Sequence, residues 1–121
     1  MTASLFEINA DGWANAARCL PSPNFDARPD EMPVELLVIH NISLPPSQFG
    51  GDWIDDLFLN RLDPLAHPYF ETIHTFKVSS HFLIKRDGSI TQYVSCNDRA
   101  WHAGASCWRD RTRCNDFAIG I

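Results

Sequence analysis

A run of four apolar residues, Leu36-Leu37-Val38-Ile39, leads directly into His40 and Asn41 and constrains the fold more than any other part of the chain. Such a run, ending in β-branched residues, is typical of a strand that is covered on both faces. The following loop contains Pro45-Pro46, which can continue neither a helix nor a central strand. We therefore expect His40 at a strand end, where a neutral imidazole can bind zinc or cap the strand by hydrogen bonding.

Five other motifs accompany this strand in a fixed order along the chain. They are Ser22-Pro23-Asn24-Phe25-Asp26-Ala27-Arg28-Pro29, the loop from Pro45-Pro46 to Gly50-Gly51, Val78-Ser79-Ser80-His81-Phe82-Leu83-Ile84, Ala100-Trp101-His102-Ala103-Gly104 and Cys114-Asn115-Asp116-Phe117-Ala118-Ile119-Gly120-Ile121. From Trp13 to Ile121 the series resembles the AmpD-type N-acetylmuramoyl-L-alanine amidases. These are zinc enzymes of bacterial cell-wall recycling, distantly related to the peptidoglycan-recognition proteins.

The resemblance implies zinc-dependent hydrolysis of the amide between N-acetylmuramic acid, in its 1,6-anhydro form, and L-alanine. His40 matches the family's first zinc ligand. The family's second histidine, an aspartate and a lysine come from a later segment, and its general base is a glutamate directly after the position of Ile121. We therefore expect the catalytic base outside these residues, in a continuation of the chain or in a companion C-terminal segment, and we expect the 121-residue chain alone to be inactive.

Six residues are candidates for binding an anhydro-muropeptide or another peptidoglycan fragment. Asn41 can orient an amide, Trp101 can stack on a sugar ring, and His102 lies in a small-residue loop beside it. The other three are Tyr69, Lys77 and Arg113, the last two as partners for peptide carboxylates, with Arg111 as a further cation. The resemblance favours Arg113, whereas Lys77 stands where family members often carry arginine. Each of these residues also has a structural alternative: the aromatic side chains could serve only in packing, and the charged side chains could be solvated at the surface.

The pattern predicts one α/β domain with a mixed central sheet flanked by helices, C-terminally incomplete because the strand Phe117–Ile121 ends the chain. Residues 1–33, rich in proline, are expected to form an extended N-terminal cover over a sheet-and-helix core of residues 34–121. Helical spacing predicts a helix over residues 52–60 capped by Asp52, and Pro68 can begin a shorter one over 68–73. Asp87-Gly88, which is expected to supply the positive φ values of a tight reversal, predicts a hairpin between His81–Lys85 and Ile90–Val94.

Composition restricts the class of partner. The net charge of −5 argues against broad binding to nucleic acid or anionic membranes. Met1 to Ala10 lack a secretory signal pattern, and no apolar run is long enough to cross a bilayer. The four cysteines lack paired spacing, so free thiols in a bacterial cytoplasmic protein are expected, with a Cys107–Cys114 bridge as the alternative.

Other interpretations of the same residues remain open at this point. A metal site could consist of His40, His81 and His102, although a structural role for His81 is favoured. A thiol hydrolase could pair Cys96 or Cys107 with His102. A peptidoglycan-binding module that has lost catalysis is the alternative from another functional class. The remaining polar candidates are expected to be structural or solvated: His67, His74, Glu71 and Asp116.

Overall fold

The computed structural model describes residues 6–121. Residues 1–5, which belong to the predicted N-terminal cover and to the segment considered for a secretory signal, lie outside the described residues. Within the described residues, two α-helices and nine short strands follow one another. They are β1 (Arg18–Cys19), β2 (Phe25–Ala27), β3 (Leu36–Val38), α1 (Trp53–Phe58), α2 (Pro68–Ile73), β4 (Phe82–Ile84), β5 (Ile90–Gln92), β6 (Asp98–Ala100), β7 (Cys107–Trp108), β8 (Arg111–Thr112) and β9 (Ala118–Gly120).

The centre of the fold is a mixed sheet, as predicted. Strand β5 pairs in parallel with β1 and antiparallel with β4, while β3 pairs in parallel with β9. The backbone N–H of His81 donates to the carbonyl of Gly120 at 3.0 Å, which joins β9 to the start of β4. β2 pairs with β6 and β7 with β8, both antiparallel. β1 and β2 belong to the segment predicted as a cover, and both contribute strands.

Local sequence signals account for α2 and for the hairpin. Pro68 occupies the first turn of α2, and the side chain of His67 accepts a hydrogen bond from the backbone of Tyr69. In the β4–β5 turn, Gly88 alone adopts a positive φ of +86°, while Asp87 accepts hydrogen bonds from Ser89. The expectation that Asp87 shares the positive φ is therefore wrong, because its carboxylate stabilises the turn instead.

Helix α1 packs on the sheet through its apolar face. Phe58 meets Tyr93 edge to face with ring centroids 4.9 Å apart. Buried Asp55 accepts from the Tyr93 hydroxyl at 2.5 Å and pairs with Arg18 of β1 at 2.6 Å, so this carboxylate connects the helix to two strands. Burial raises the pKa of Tyr93 strongly, so its hydroxyl stays a donor. Asp52 lies at the start of α1, but its side chain makes no capping hydrogen bond, so the prediction of an Asp52 cap is wrong. The backbone carbonyl of Asp52 accepts a hydrogen bond from the Asp56 N–H.

Strand β3 is less covered than predicted. Leu37 is 55% exposed and Ile39, directly after the strand, is 75% exposed. Leu36 and Val38 are partly buried, which is the alternation of a strand with one covered face. The core instead lies between α1, α2 and the β4–β5 region and comprises Leu44, Leu57, Phe58, Leu62, Phe70, Ile73, Tyr93, Val94 and Ala100.

Two further expectations can be compared directly. All four cysteines are free, as predicted, and the Cys107–Cys114 bridge is absent. Neither described helix has the length or the apolar character needed to cross a membrane.

Candidate functional site

The end of the β3–β9 pair places His40 at the mouth of a cleft. The His40 backbone N–H donates to the Ile121 carbonyl at 2.7 Å, and the Ile121 N–H donates to Val38 at 3.0 Å. The ladder therefore continues past both strands and holds His40 beside the end of β9. The side chain is exposed, and its Nε2 lies 3.0 Å from Nδ1 of His102.

His102 is the partner of His40, a contact that the sequence did not predict. Its ring lies directly against Gly120, where a Cβ would come within 2.5 Å of Cδ2. The Asn115 side chain accepts from the backbone N–H groups of His102 and Ala103 at 3.2 and 2.9 Å. Burial, with His40, His81 and Arg28 nearby, lowers the pKa of His102 to about 4, so the ring is neutral near neutral pH. Its Nε2 is buried and has no hydrogen-bond partner in the structure.

His81 braces the sheet, as favoured from the sequence. It is fully buried, its Nδ1 accepts from the Gly120 N–H at 3.1 Å, and its Nε2 donates to the Asp98 carbonyl at 2.9 Å. Because a carbonyl can only accept, the proton must lie on Nε2. Burial lowers the pKa of His81 to about 4. With both ring nitrogens engaged, His81 is not available to a metal, and the interpretation of a His40–His81–His102 metal site is wrong.

A cleft of about 500 Å³ opens at these strand ends and is lined mainly by apolar side chains. Four predicted site residues lie on its wall: His40, Asn41, Trp101 and His102. The Trp101 indole N–H donates to Asp26 at 3.3 Å, and Asp26 also pairs with Arg99 at 2.5 Å. The hydrogen bond from Arg99 is the main cause of the lowered pKa of Asp26. The indole is thus held at its edge by a carboxylate while its ring borders the cleft.

The structure does not bring the other three predicted binding residues to this wall. Tyr69 of α2 is 40% exposed, and Lys77 and Arg113 are also exposed outside the cleft lining. Arg113 adopts a left-handed backbone, with φ of 58°, at the start of a short 3₁₀ turn. Arg111 pairs with Glu35 at 2.7 Å and lies over Phe117, so its charge is already compensated.

The catalytic alternatives within the described residues receive no support. Cys96 and Cys107 lie outside the cleft lining, and burial raises the pKa of the Cys96 thiol, which opposes thiolate formation. The structure therefore gives no support to the thiol-hydrolase interpretation. Asp116 pairs with Arg99 at 2.6 Å and is structural, as expected, and Glu71 is exposed on α2.

Sequence reasoning missed Arg28, Phe49 and Arg86. Arg28 is buried and donates to the carbonyls of Cys96, Asn115, Asp116 and Ala118, which secures the segment leading into β9. Its position inside the Ser22–Pro29 motif was the available signal. Phe49 and Arg86 line the cleft from the loop before α1 and from the β4–β5 turn. No local pattern indicates that contact, because the two residues are distant along the chain.

The described residues provide only some of the donors that a zinc ion needs. His40 suits one ligand position because it is exposed and its Nε2 already contacts His102. Within residues 6–121, however, no three His, Cys, Asp or Glu side chains converge to hold a metal ion. A zinc site needs at least three protein ligands, so the donors described here do not fit a complete one.

Comparison with known proteins gives a consistent result. The family model described as N-acetylmuramoyl-L-alanine amidase matches residues 30–121. The 1,6-anhydro-N-acetylmuramyl-L-alanine amidase AmpD of Citrobacter freundii is 59% identical over 111 residues, which are 92% of this chain and 59% of the relative. The enzyme of the same name from Haemophilus influenzae is 57% identical over 110 residues, 91% of this chain and 60% of the relative.

The solved structures agree with the sequence relatives. A crystal structure of a selenomethionine derivative of AmpD superposes with a TM-score of 0.91 at 56% identity, covering 98% of this chain and 64% of that one. The solution structure of Citrobacter freundii AmpD gives a TM-score of 0.60, covering 95% of this chain and 62% of that one. The chain thus spans about three-fifths of the length of the curated relatives it matches.

Proposed function

The chain belongs to the N-acetylmuramoyl-L-alanine amidase family, and on that basis we propose that it forms the substrate-binding part of an amidase active on anhydro-muropeptides. The bond cleaved is the amide between the lactyl group of N-acetylmuramic acid and L-alanine. The reaction belongs to peptidoglycan recycling in the bacterial cytoplasm. The names of the AmpD relatives support the substrate class.

One observation carries the proposal: His40, Asn41, Trp101 and His102 meet in a single, largely apolar cleft at the ends of β3 and β9. Enzymes with open sheets bind their ligands outside strand ends, in clefts with a few convergent polar groups. The cleft of about 500 Å³ is within the range that accepts a small organic ligand.

The four cleft residues divide the work of binding and orientation. Asn41 offers an amide that can pair with the substrate's amide groups, and the edge-anchored Trp101 offers an apolar face to a sugar ring. His102 holds the His40 ring through the contact of 3.0 Å between their nitrogens. The further predicted residues Tyr69, Lys77 and Arg113 are proposed for the part of the peptide that extends beyond the cleft wall.

His40 is proposed as one ligand of a zinc ion. The described residues do not complete its coordination, and no carboxylate among them lines the cleft, so the remaining ligands and the general base are not assigned within residues 6–121. The same observation favours the second candidate, a peptidoglycan-binding module without catalysis.

A fusion of this chain to the remaining segment of the Citrobacter freundii relative can distinguish the two candidate functions, amidase and non-catalytic binding module. We expect the fusion to bind about one zinc per chain and to release peptide from 1,6-anhydro-N-acetylmuramyl-L-Ala-D-Glu, measured by chromatography and metal analysis. His40→Ala should abolish both, since removal of a zinc ligand weakens metal retention. His74→Ala, which removes a histidine outside the cleft, is the matched control.

Full zinc retention by the His40→Ala fusion would contradict the ligand assignment. A fusion that retains zinc and binds the muropeptide without hydrolysing it would favour the binding module instead. A fusion that neither binds nor cleaves the muropeptide would refute the proposed function.

A further inference from the structure

Among the described residues that line the cleft, Arg86 has the only permanently charged side chain. The other lining side chains are apolar, hydroxyl, amide, indole or imidazole groups. The Arg86 guanidinium carbon lies 3.6 Å from the centre of the Phe49 ring, a cation–π geometry. Phe49 itself lines the cleft, so the stacked pair forms part of its wall.

Arg86 also differs from the paired arginines of the molecule. Arg18, Arg61, Arg99 and Arg111 each pair with a carboxylate at 2.9 Å or less. Within residues 6–121 the Arg86 guanidinium makes no ion pair and no hydrogen bond. The adjacent carboxylate of Asp87 instead accepts from Ser89 at 2.9 and 2.7 Å. The guanidinium N–H donors of Arg86 are therefore free for a ligand.

Two constrained turns hold this pair in place. Arg86 lies in the β4–β5 turn, closed by hydrogen bonds of 2.9 Å from Lys85 N–H to Ser89 and from Gly88 N–H to Lys85. Phe49 precedes Gly50 and Gly51, whose φ values of +88° and +76° turn the loop back toward α1. Stacking on a ring limits the rotamers of an arginine, so less side-chain entropy is lost when it binds an anion.

We infer that Arg86, supported by Phe49, is a carboxylate-binding subsite of the cleft. A planar guanidinium binds a carboxylate through two parallel N–H···O bonds, and because Arg86 is exposed, water limits the strength of that pair. The inference rests on the proposed function for the identity of its ligand, a carboxylate of the peptide stem of the muropeptide. Lys77 and Arg113, which lie outside the cleft wall, do not replace it.

The test compares two forms of one ligand by calorimetric titration: 1,6-anhydro-N-acetylmuramyl-L-Ala-D-Glu with free carboxylates and with both amidated. We expect the free acid to bind about two-fold to five-fold more tightly than the amide, as for an ion pair at an exposed side chain. Arg86→Met should remove most of this difference, because the affinity for the free acid should fall further than the affinity for the amide. Phe49→Leu should reduce the difference without removing it.

The matched control is Arg109→Met, because Arg109 also lies over an aromatic ring, Trp108, at 4.7 Å, and does not line the cleft. This variant removes the same charge and should keep the full preference for the free acid. If Arg86→Met keeps that preference as well, the subsite is refuted while muropeptide binding still stands.

A second measurement is independent of the proposed function. Glutarate is titrated into the chain while the Nε–H resonances of its arginines are followed by NMR. A saturable shift at Arg86 that Arg109 does not show supports the subsite even if no muropeptide binds. The absence of any Arg86 shift, together with no muropeptide binding, would refute both inferences.

Discussion

At the scale of single residues, three histidines near the end of β9 have different roles because their surroundings differ. His81 is buried and bonded through both ring nitrogens, whereas His40 is exposed and bonded through one. His102 lies between them, neutral and partly buried. Residue type alone therefore assigns none of these roles.

The buried His81 predicts acid sensitivity. Its folded-state pKa of about 4 lies below its usual value of 6.5 because burial disfavours the charged ring, and Arg28 nearby lowers it further. Between these values the unfolded chain binds a proton that the folded chain does not, so the free energy of unfolding decreases as the pH falls from 6.5 to about 4. The full loss is about 3 kcal/mol.

Urea midpoints of the chain and of His81→Asn, measured at several pH values across this range, provide the check. The variant is less stable at neutral pH, but its acid-induced loss should be smaller than that of the parent. The carboxylates and His102 titrate in both proteins, so the comparison uses the difference between the two curves. Parallel curves would contradict the prediction.

Substitution of Trp101 is expected to lower the affinity for the ligand without a comparable loss of folding stability. Trp101→Ala should weaken muropeptide binding by about ten-fold or more, because stacking of a rigid aromatic contributes on the order of 1–2 kcal/mol. Trp108→Ala is the control, since Trp108 packs near Phe117 outside the cleft. Calorimetric titration of both variants measures their affinities for the muropeptide. Equal affinities would indicate that Trp101 serves only in packing.

At the scale of elements, β9 connects the sheet to the site. Gly120 pairs with Val38, donates to His81, accepts from the His81 backbone and supports the His102 ring. Four carbonyls on and around the approach to β9 accept from Arg28. A strand of three residues is thus stabilised mainly by contacts outside its own ladder.

Gly120 predicts a steric coupling between β9 and His102. A Cβ at this position would lie 2.5 to 2.8 Å from three ring atoms of His102, so Gly120→Ala should displace the ring and lower the free energy of unfolding by about 1–3 kcal/mol. His102→Ala should remove much of that cost when the two substitutions are combined. Urea denaturation of the single and double variants measures the coupling, and strictly additive effects would contradict it.

At the scale of the whole molecule, the described residues form the walls of the cleft but not a complete metal site. The chain spans about three-fifths of its curated relatives, and its described residues contain no group of three converging metal donors. We therefore predict that the 121-residue chain by itself does not hydrolyse a muropeptide, with or without added zinc. Chromatographic assay beside the fusion protein measures this directly.

Turnover of the isolated chain comparable to that of the fusion would contradict this prediction. The ligands and the base would then have to lie among His81, His102, Asp116 and their neighbours, and the residue roles taken from the family resemblance would be wrong.

Local signals were sufficient for several elements. Pro68 predicted the bounds of α2. Asp87-Gly88 predicted the hairpin of β4 and β5, and a short apolar run predicted strand β9, although these strands are shorter than expected. These predictions succeeded because each depends on residues within a few positions of one another. The covered state of β3 was predicted incorrectly, since an apolar run indicates a strand but not how many of its faces are packed.

By itself the sequence determined the family, the mixed α/β class and His40 with Asn41 at a strand end, because ordered motifs and hydrophobic periodicity are properties of the chain. Only the tertiary structure decided that His102 meets His40, that Gly120 makes room for it, and that Arg86 lies over Phe49. Each of these contacts joins residues far apart in sequence. Their geometry depends on strand register and packing, which no local pattern specifies.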